Sequence, residues 1–182
     1  SAMGKTTNAL EEVVKSWYLR DGKCLEHLQS VRDFHRKIMD ELFRSKSDPV
    51  YDAVNNHFVE IEWVLDEEPV REFDFCYDQI VSVGELISTR IVSAYLNQEG
   101  ISNVWVDARD CVRTDNHYRE GKVDWEITEK QIQQCILPVL DKTGIALTQG
   151  FIGGTSENYT TTLGREGSDY TASIFAYCLN AE

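Results

Sequence analysis

Two short apolar runs in the second half of the chain restrict its fold more than any other feature. Val104-Trp105-Val106 and Ile145-Ala146-Leu147 have the length and composition of buried parallel strands. Between them, isoleucines recur at helical spacing up to Pro138, where we expect the helix to end. A strand, a helix and a second strand in this order predict parallel pairing through a right-handed crossover, and therefore an α/β fold.

The first half of the chain is predicted to form a helical layer inserted into this fold. Four segments carry apolar residues at the spacing of one helical face, within residues 8–22, 28–48, 51–66 and 77–100. Asn8 is expected to cap the first helix and Gly100 to end the fourth, which the pattern presents as one long helix. Beyond the second strand, residues 151–163 fit a hairpin or an extended loop, and residues 170–179 fit a final helix.

The composition disfavours several classes of partner. The formal net charge is −13, from 31 acidic and 18 basic residues. This excess of negative charge argues against a broad positively charged surface that would bind nucleic acid or anionic lipid. No apolar stretch approaches the roughly 20 residues that cross a bilayer, and no secretory leader is visible, so we expect a cytoplasmic protein without a membrane partner. The cysteines form no C-x-x-C pair and the histidines no ligand pair, so we expect reduced thiols and no metal site within the chain.

Two charged residues are candidates for binding a ligand. Glu85 follows Gly84 inside a strongly apolar helical pattern, where a buried carboxylate needs a partner, either a nearby base such as Arg90 or a ligand. Arg165 lies in a glycine-containing loop, and its planar guanidinium can grip a carboxylate with two hydrogen bonds. The alternative for Arg165 is a surface arginine in a mobile loop.

Four segments of the chain resemble, in the same order, those of aspartate kinases. They are residues 1–8, Ser82-Val83-Gly84-Glu85, residues 148–153 and residues 160–172, the last containing Leu-Gly-Arg-Glu-Gly-Ser-Asp-Tyr. The resemblance implies a three-layer αβα sandwich of the amino-acid kinase type. It also implies that the family's first strand with its Lys-Phe-Gly-Gly turn, the rest of its nucleotide site and its ACT domains lie outside residues 1–182. This piece is therefore expected to be the substrate-binding portion of a homo-oligomeric enzyme, and to be inactive alone.

The activity implied by the resemblance is ATP-dependent phosphorylation of the β-carboxylate of L-aspartate, with Mg²⁺ accompanying the nucleotide. The product is β-aspartyl phosphate, formed in the first step of lysine, threonine and methionine biosynthesis. By resemblance, Glu85 binds the α-ammonium group of the substrate and Arg165 its α-carboxylate. Thr7, Phe151 and Ser168 are assigned to the same substrate site, although Thr7 could instead be a turn residue and Ser168 could also cap the last helix.

Three further positions are assigned by resemblance to the nucleotide side of the site. Asp169, the candidate catalytic residue, would organise phosphate-binding lysines and the metal–nucleotide region, although the helix dipole also favours an aspartate in the first turn of a helix. Gly167 would let phosphate oxygens approach the backbone closely. Glu166 stands where relatives usually have glycine, so its side chain must point away from the phosphates, or the loop differs here.

Two alternatives from other classes remain open on the sequence alone. Gly4-Lys5-Thr6 before a helix matches the end of a P-loop, which would make the protein a nucleotide hydrolase. Alternatively, the helical layer of residues 9–98 presents a protein-binding face in a non-catalytic interaction domain. Such a domain would show a large exposed apolar patch, and Glu85 and Arg165 would not converge.

Overall fold

The computed structural model describes residues 1–181, which form eight α-helices and four short β-strands. The helices are α1 Thr6–Leu19, α2 Cys24–Leu42, α3 Pro49–Asp66, α4 Phe73–Val81, α5 Val83–Gln98, α6 Ala108–Cys111, α7 Trp125–Thr143 and α8 Gly167–Cys178. The strands are β1 Val104–Trp105, β2 Ala146–Leu147, β3 Ile152–Gly154 and β4 Thr160–Thr162. Within these residues, no helix is both long and apolar enough to cross a membrane.

The first five helices pack around one apolar core, as the periodicity of the sequence predicts. α1 lies against α2 and α4, and α3 lies against α5. The side chains of Leu10, Phe58, Ile80 and Ile87 are almost fully buried in this core. Burying one such side chain stabilises the folded state by about 1.5–3 kcal/mol. Shared burial therefore holds this layer together.

Two boundaries in the helical layer differ from the prediction. α1 begins at Thr6 after Lys5, so Asn8 lies inside the helix and does not cap it. The fourth apolar segment forms two helices, α4 and α5, which meet at Ser82. The backbone of Ser82 stays close to helical, with φ of −56° and ψ of −28°. The apolar pattern therefore continues across the junction and gives no sign of the break.

The predicted strand, helix and strand are confirmed. β1 and β2 pair in parallel, with Val104 opposite Ala146, and α7 lies between them in the chain. α7 does not end near Pro138 but continues to Thr143. Proline removes only one helical hydrogen bond. Ile132 and Ile136 before it and Leu140 after it pack into one apolar core, separate from that of the first five helices. The helix ends instead at Gly144, whose φ of 75° is the left-handed conformation that glycine adopts readily.

The predicted hairpin joins the two halves of the molecule. β3 and β4 pair antiparallel, with Ile152 opposite Thr162 and Gly154 opposite Thr160. β4 contacts α4 of the helical layer, and β3 contacts α6 and α8 of the α/β half. Residues that follow this hairpin are therefore held beside both halves.

Gly154 cannot accept a side chain at this packed position. A Cβ atom there would lie 2.6 Å from the carbonyl oxygen of Arg109, and that oxygen belongs to the backbone. We expect Gly154→Ala to lower the free energy of unfolding by about 1–3 kcal/mol, the usual cost of overpacking. Urea unfolding of the 182-residue chain measures the change. Ser156→Ala, an exposed substitution in the same hairpin, is the control, and equal midpoints for the two variants would contradict the prediction.

Candidate active site

A cavity of about 400 Å³ lies where the helical layer meets the segment that follows the hairpin. It is lined by α1, by α5, by Phe151 and by the beginning of α8. All of the site residues predicted from the sequence line this cavity except Arg165: they are Thr7, Glu85, Phe151, Glu166, Gly167, Ser168 and Asp169. These residues come from four separate segments of the chain. The fold therefore brings the predicted substrate and nucleotide positions together.

Glu85 supplies a buried negative charge to the cavity. Its exposed fraction is 4%, and its Oε2 atom has no hydrogen-bond partner. The backbone nitrogen of Ser1 lies 3.3 Å from that oxygen but without the geometry of a hydrogen bond. An incompletely satisfied buried carboxylate is costly, so this group is prepared to receive a cation.

Arg90 is not the partner of Glu85. Its guanidinium carbon lies 3.3 Å from the centre of the Trp105 ring, in a cation–π contact. Burial also lowers the pKa of Arg90 below its ordinary value. The structural pairing considered for Glu85 is therefore wrong, because an aromatic face occupies the only nearby base on its own helix.

Phe151 forms a wall of the cavity in an unusual backbone conformation. Its φ is 74°, a left-handed value that is rare for a bulky side chain. Its amide donates a 2.9 Å hydrogen bond to Oγ1 of Thr171, which fixes this conformation. The ring packs against Gly167 so closely that a Cβ atom there would lie 2.7 Å from Cδ2 of Phe151. Gly167 is therefore required for packing at this position.

The first turn of α8 faces the cavity. α8 begins three residues earlier than predicted, at Gly167, and the residue before the helix is Glu166, whose φ is 59°. Ser168 therefore lies inside the helix and does not cap it; its Oγ atom lies 3.1 Å from Oγ of Ser1. Asp169 is in the first turn, as predicted. The free backbone N–H groups of such a turn attract anions.

Glu166 lines the cavity from the position just before α8. Its side chain is largely solvent-exposed, and its nearest cation is Nε of Arg165 at 3.9 Å. That this carboxylate points away from bound phosphates stays a prediction.

Arg165 lies at a second cavity, of about 590 Å³, which shares Phe151 and Gly164 with the first. Its side chain is 95% exposed and makes no contact with Glu85. The structure thus brings the loop of Arg165 to Glu85 but leaves the two side chains apart. Arg119, which the sequence analysis missed, also lines this cavity and lies 4.2 Å above the Tyr77 ring.

The P-loop alternative does not fit the structure. In a P-loop, the threonine hydroxyl is a ligand of magnesium. Here Oγ1 of Thr6 donates a 2.6 Å hydrogen bond to the carbonyl of Met3, and the residue is buried. Within residues 1–181 there is no group of three or more histidine, cysteine, aspartate or glutamate side chains that could hold a metal ion.

Comparison with known proteins identifies similar chains across the full length. A model of the amino acid kinase family matches residues 1–182. The chain is 29% identical over 181 residues to lysine-sensitive aspartokinase 3 of Escherichia coli, covering 100% of this chain and 39% of that protein. It is 28% identical over 174 residues to an aspartokinase of Chlamydia trachomatis, covering 96% of this chain and 37% of that one.

A solved structure shows the same fold. The crystal structure of E. coli aspartokinase III in complex with aspartate and ADP matches with a TM-score of 0.89 and 29% identity, covering 100% of this chain and 39% of that one. Aspartate kinase of Clostridium acetobutylicum, at 21% identity and a TM-score of 0.73, supports the fold alone. The predicted α/β fold of the amino-acid kinase type is confirmed. The chain spans about two fifths of the length of the curated relatives named here.

Proposed function

Since this chain belongs to the amino acid kinase family, we propose that its gene product transfers a phosphoryl group from ATP to the β-carboxylate of L-aspartate. One observation carries the proposal. Residues from four separate segments, each assigned by resemblance to the substrate or the nucleotide, line one cavity. The printed ligands of the matching E. coli structure, aspartate and ADP, support the same substrate pair.

Residues 1–182 would supply the substrate-binding portion of the catalytic domain. Their share of 39% of the E. coli relative supports this proposal, because the remaining length can hold the rest of the nucleotide site. The five cysteines are all free thiols, which suits a reducing compartment such as the cytoplasm.

Glu85 would receive the α-ammonium group of L-aspartate. Because Glu85 is buried, its charge is weakly screened by solvent, and an ammonium group there is held strongly. This contact would orient the substrate and select an amino acid over a simple dicarboxylate.

Arg165 would bind the α-carboxylate after turning from solvent toward the shared boundary of the two cavities. Its guanidinium has only the loose contact with Glu166, so little is lost when it moves. The preceding residue, Gly164, has φ of 76° and permits this loop conformation. With the ammonium held by Glu85, a bidentate grip by Arg165 would leave the β-carboxylate as the free end.

The reaction then requires positioning more than proton transfer. A carboxylate of pKa near 3.9 is already ionised at neutral pH, so no general base is needed. The difficulty is to bring two anions together in line, which amide donors and cations make possible. The first turn of α8 would supply backbone donors beside Gly167.

Asp169 would be the carboxylate of this cavity that serves the nucleotide. Magnesium bound with ATP neutralises phosphate charge, and it is usually held by one or two carboxylates together with the phosphates. Asp169 lines the cavity from the first turn of α8, and its carboxylate oxygens are of the donor type that magnesium prefers. Asp169 can contribute one oxygen ligand, or hold a lysine that contacts the phosphates.

The proposal is tested by trapping the product of the native-length gene product with hydroxylamine, which converts an acyl phosphate into a hydroxamate. We expect hydroxamate only when L-aspartate, ATP and Mg²⁺ are all present. L-Glutamate in place of L-aspartate, and the 182-residue chain in place of the native-length protein, should give none. ATP consumption without aspartate-dependent hydroxamate would contradict the proposal.

A further inference from the structure

Two neighbouring residues at the end of α4 hold the hairpin strand β4. Gln79 donates from Nε2 to the carbonyl of Thr160 at 2.8 Å and accepts from the Thr160 amide at 3.0 Å. Asp78 accepts at Oδ2 from the amide of Thr162 at 2.8 Å, and at Oδ1 from the Thr162 hydroxyl at 2.7 Å. Side chains of one helix thus bind two positions of β4; Asp78 and Gln79 are called the α4 clamp below.

Asp78 also fixes a second segment. Its Oδ2 atom accepts a 2.8 Å hydrogen bond from the amide of Arg119, whose side chain lines the cavity of Arg165. Asp78 is fully buried, and burial raises its pKa to about 6 although its hydrogen bonds oppose this shift. A carboxylate in this position is expensive to bury, and its three hydrogen bonds are all to residues that line the cavity of Arg165.

The clamp joins the two parts of the chain that carry the proposed substrate-binding groups. On one side, α4 leads through Ser82 into α5, which carries Glu85. On the other side, β4 ends at Thr162, three residues before Arg165. The separation between the ammonium-binding and carboxylate-binding groups therefore depends on how α4 is held against β4.

We propose that Asp78 and Gln79 are positioning residues that set this separation. The inference rests on the proposed function, because it assigns the clamp a role in binding L-aspartate. Neither residue needs to touch the substrate. Asp78 acts through the backbone of Thr162 and Arg119, and Gln79 acts through the backbone of Thr160. Loosening the clamp would misplace Arg165 relative to Glu85 and weaken the grip on aspartate, with little effect on ATP.

The test compares two substitutions of Asp78 in the native-length gene product. Asp78→Ala removes the acceptor of three hydrogen bonds. Asp78→Asn can keep all three, since its oxygen can accept from both amides and its NH₂ group can donate to the Thr162 hydroxyl. We expect Asp78→Ala to raise KM for L-aspartate about tenfold or more, because small displacements of binding groups have effects of this size. KM for ATP should change less than about twofold. Asp78→Asn should restore KM for L-aspartate to within about threefold of the wild type.

A structural control separates positioning from a general loss of stability. Asp124→Ala removes the side chain that accepts from the amide of Ile127 at the start of α7, away from both cavities. It should lower Tm but leave KM for L-aspartate unchanged. If Asp78→Ala does not fold, Gln79→Met removes the two bonds to Thr160 and should raise KM for L-aspartate about threefold or more. If Asp78→Ala folds, or Gln79→Met in its place, and KM for L-aspartate is unchanged, the inference is overturned.

A second readout does not depend on the reaction. Amide hydrogen exchange across residues 160–169 should be faster in Asp78→Ala than in Asp78→Asn, and unchanged in Asp124→Ala. If the wild type shows no aspartate-dependent turnover, the proposed function fails, whatever the exchange rates show. If the wild type is active and the exchange in residues 160–169 is unaffected by Asp78→Ala, the clamp fails and the proposed function stands.

Discussion

Glu85→Gln in the native-length gene product is expected to lower kcat/KM for L-aspartate by about 100-fold. The substitution keeps the size of the side chain and removes its charge, so the α-ammonium group loses a charge-assisted hydrogen bond worth about 2–3 kcal/mol. Steady-state assays of ADP formation at varied L-aspartate measure the change. Because the cavity is partly buried, the loss should persist at high salt.

The same substitution should not destabilise the protein. Oε2 of Glu85 has no hydrogen-bond partner, so the substitution breaks no hydrogen bond at that atom. It also removes a buried charge, which is costly to keep in the folded protein. Tm is therefore expected to stay equal or to rise while activity falls. Glu126→Gln, an exposed change in α7 that affects only the pair with Lys130, is the matched control. A large fall in Tm, or full activity of the Glu85→Gln variant, would remove Glu85 from its proposed role.

Arg165→Lys should weaken the binding of L-aspartate by about 1–3 kcal/mol, or roughly 5-fold to 150-fold in Kd. Lysine keeps the positive charge but cannot make the two parallel hydrogen bonds that a carboxylate accepts from arginine. Isothermal titration with L-aspartate measures the effect directly. Tm should not change, because the Arg165 side chain is 95% exposed.

Arg20→Lys provides the comparison for Arg165. Arg20 is also solvent-exposed and pairs with Glu68 at 3.2 Å, on the helical layer outside both cavities. It should leave Kd for L-aspartate unchanged. Equal affinities for the wild type and Arg165→Lys would show that another group holds the α-carboxylate; Arg119, the other arginine that lines the same cavity, is a candidate.

The interaction-domain alternative fits the structure less well. The side chains of Glu85 and Arg165 do not meet in the structure, but Glu85 lines the same cavity as Gly164 and Glu166, the two neighbours of Arg165 in the chain, and the chain matches the amino acid kinase family over its full length. Some apolar side chains of the helical layer are exposed, among them Leu19 and Trp63. Exposed apolar residues of this kind are common on protein surfaces, so they do not by themselves indicate a partner.

The parallel strands and the hairpin were predictable because local sequence determines them. Short apolar runs and turn residues act over a few positions, and the parallel pairing of β1 with β2 follows from their order in the chain. The burial of Glu85 was also predictable, since its neighbours at helical spacing are apolar. The break at Ser82 was not, because its near-helical backbone leaves the apolar period intact.

The contacts that shape the site could not be predicted in the same way. Asp78 binds Thr162 across 84 positions of the chain, and no local pattern marks such a pair. The left-handed backbone of Phe151 depends on its hydrogen bond to Thr171, which lies on a different element. The turn of Arg165 that we propose would depend on a bound carboxylate, which the sequence does not contain. Each of these features is a property of tertiary packing or of a ligand.

The central claim is that Glu85 and Arg165 hold opposite ends of one L-aspartate molecule. A crystal structure of the native-length gene product with L-aspartate and ADP tests it most directly. We expect the α-ammonium group about 3 Å from a carboxylate oxygen of Glu85, and the Arg165 guanidinium turned from solvent onto the α-carboxylate. Aspartate bound with its ammonium group away from Glu85, or with Arg165 still in solvent, would contradict the claim.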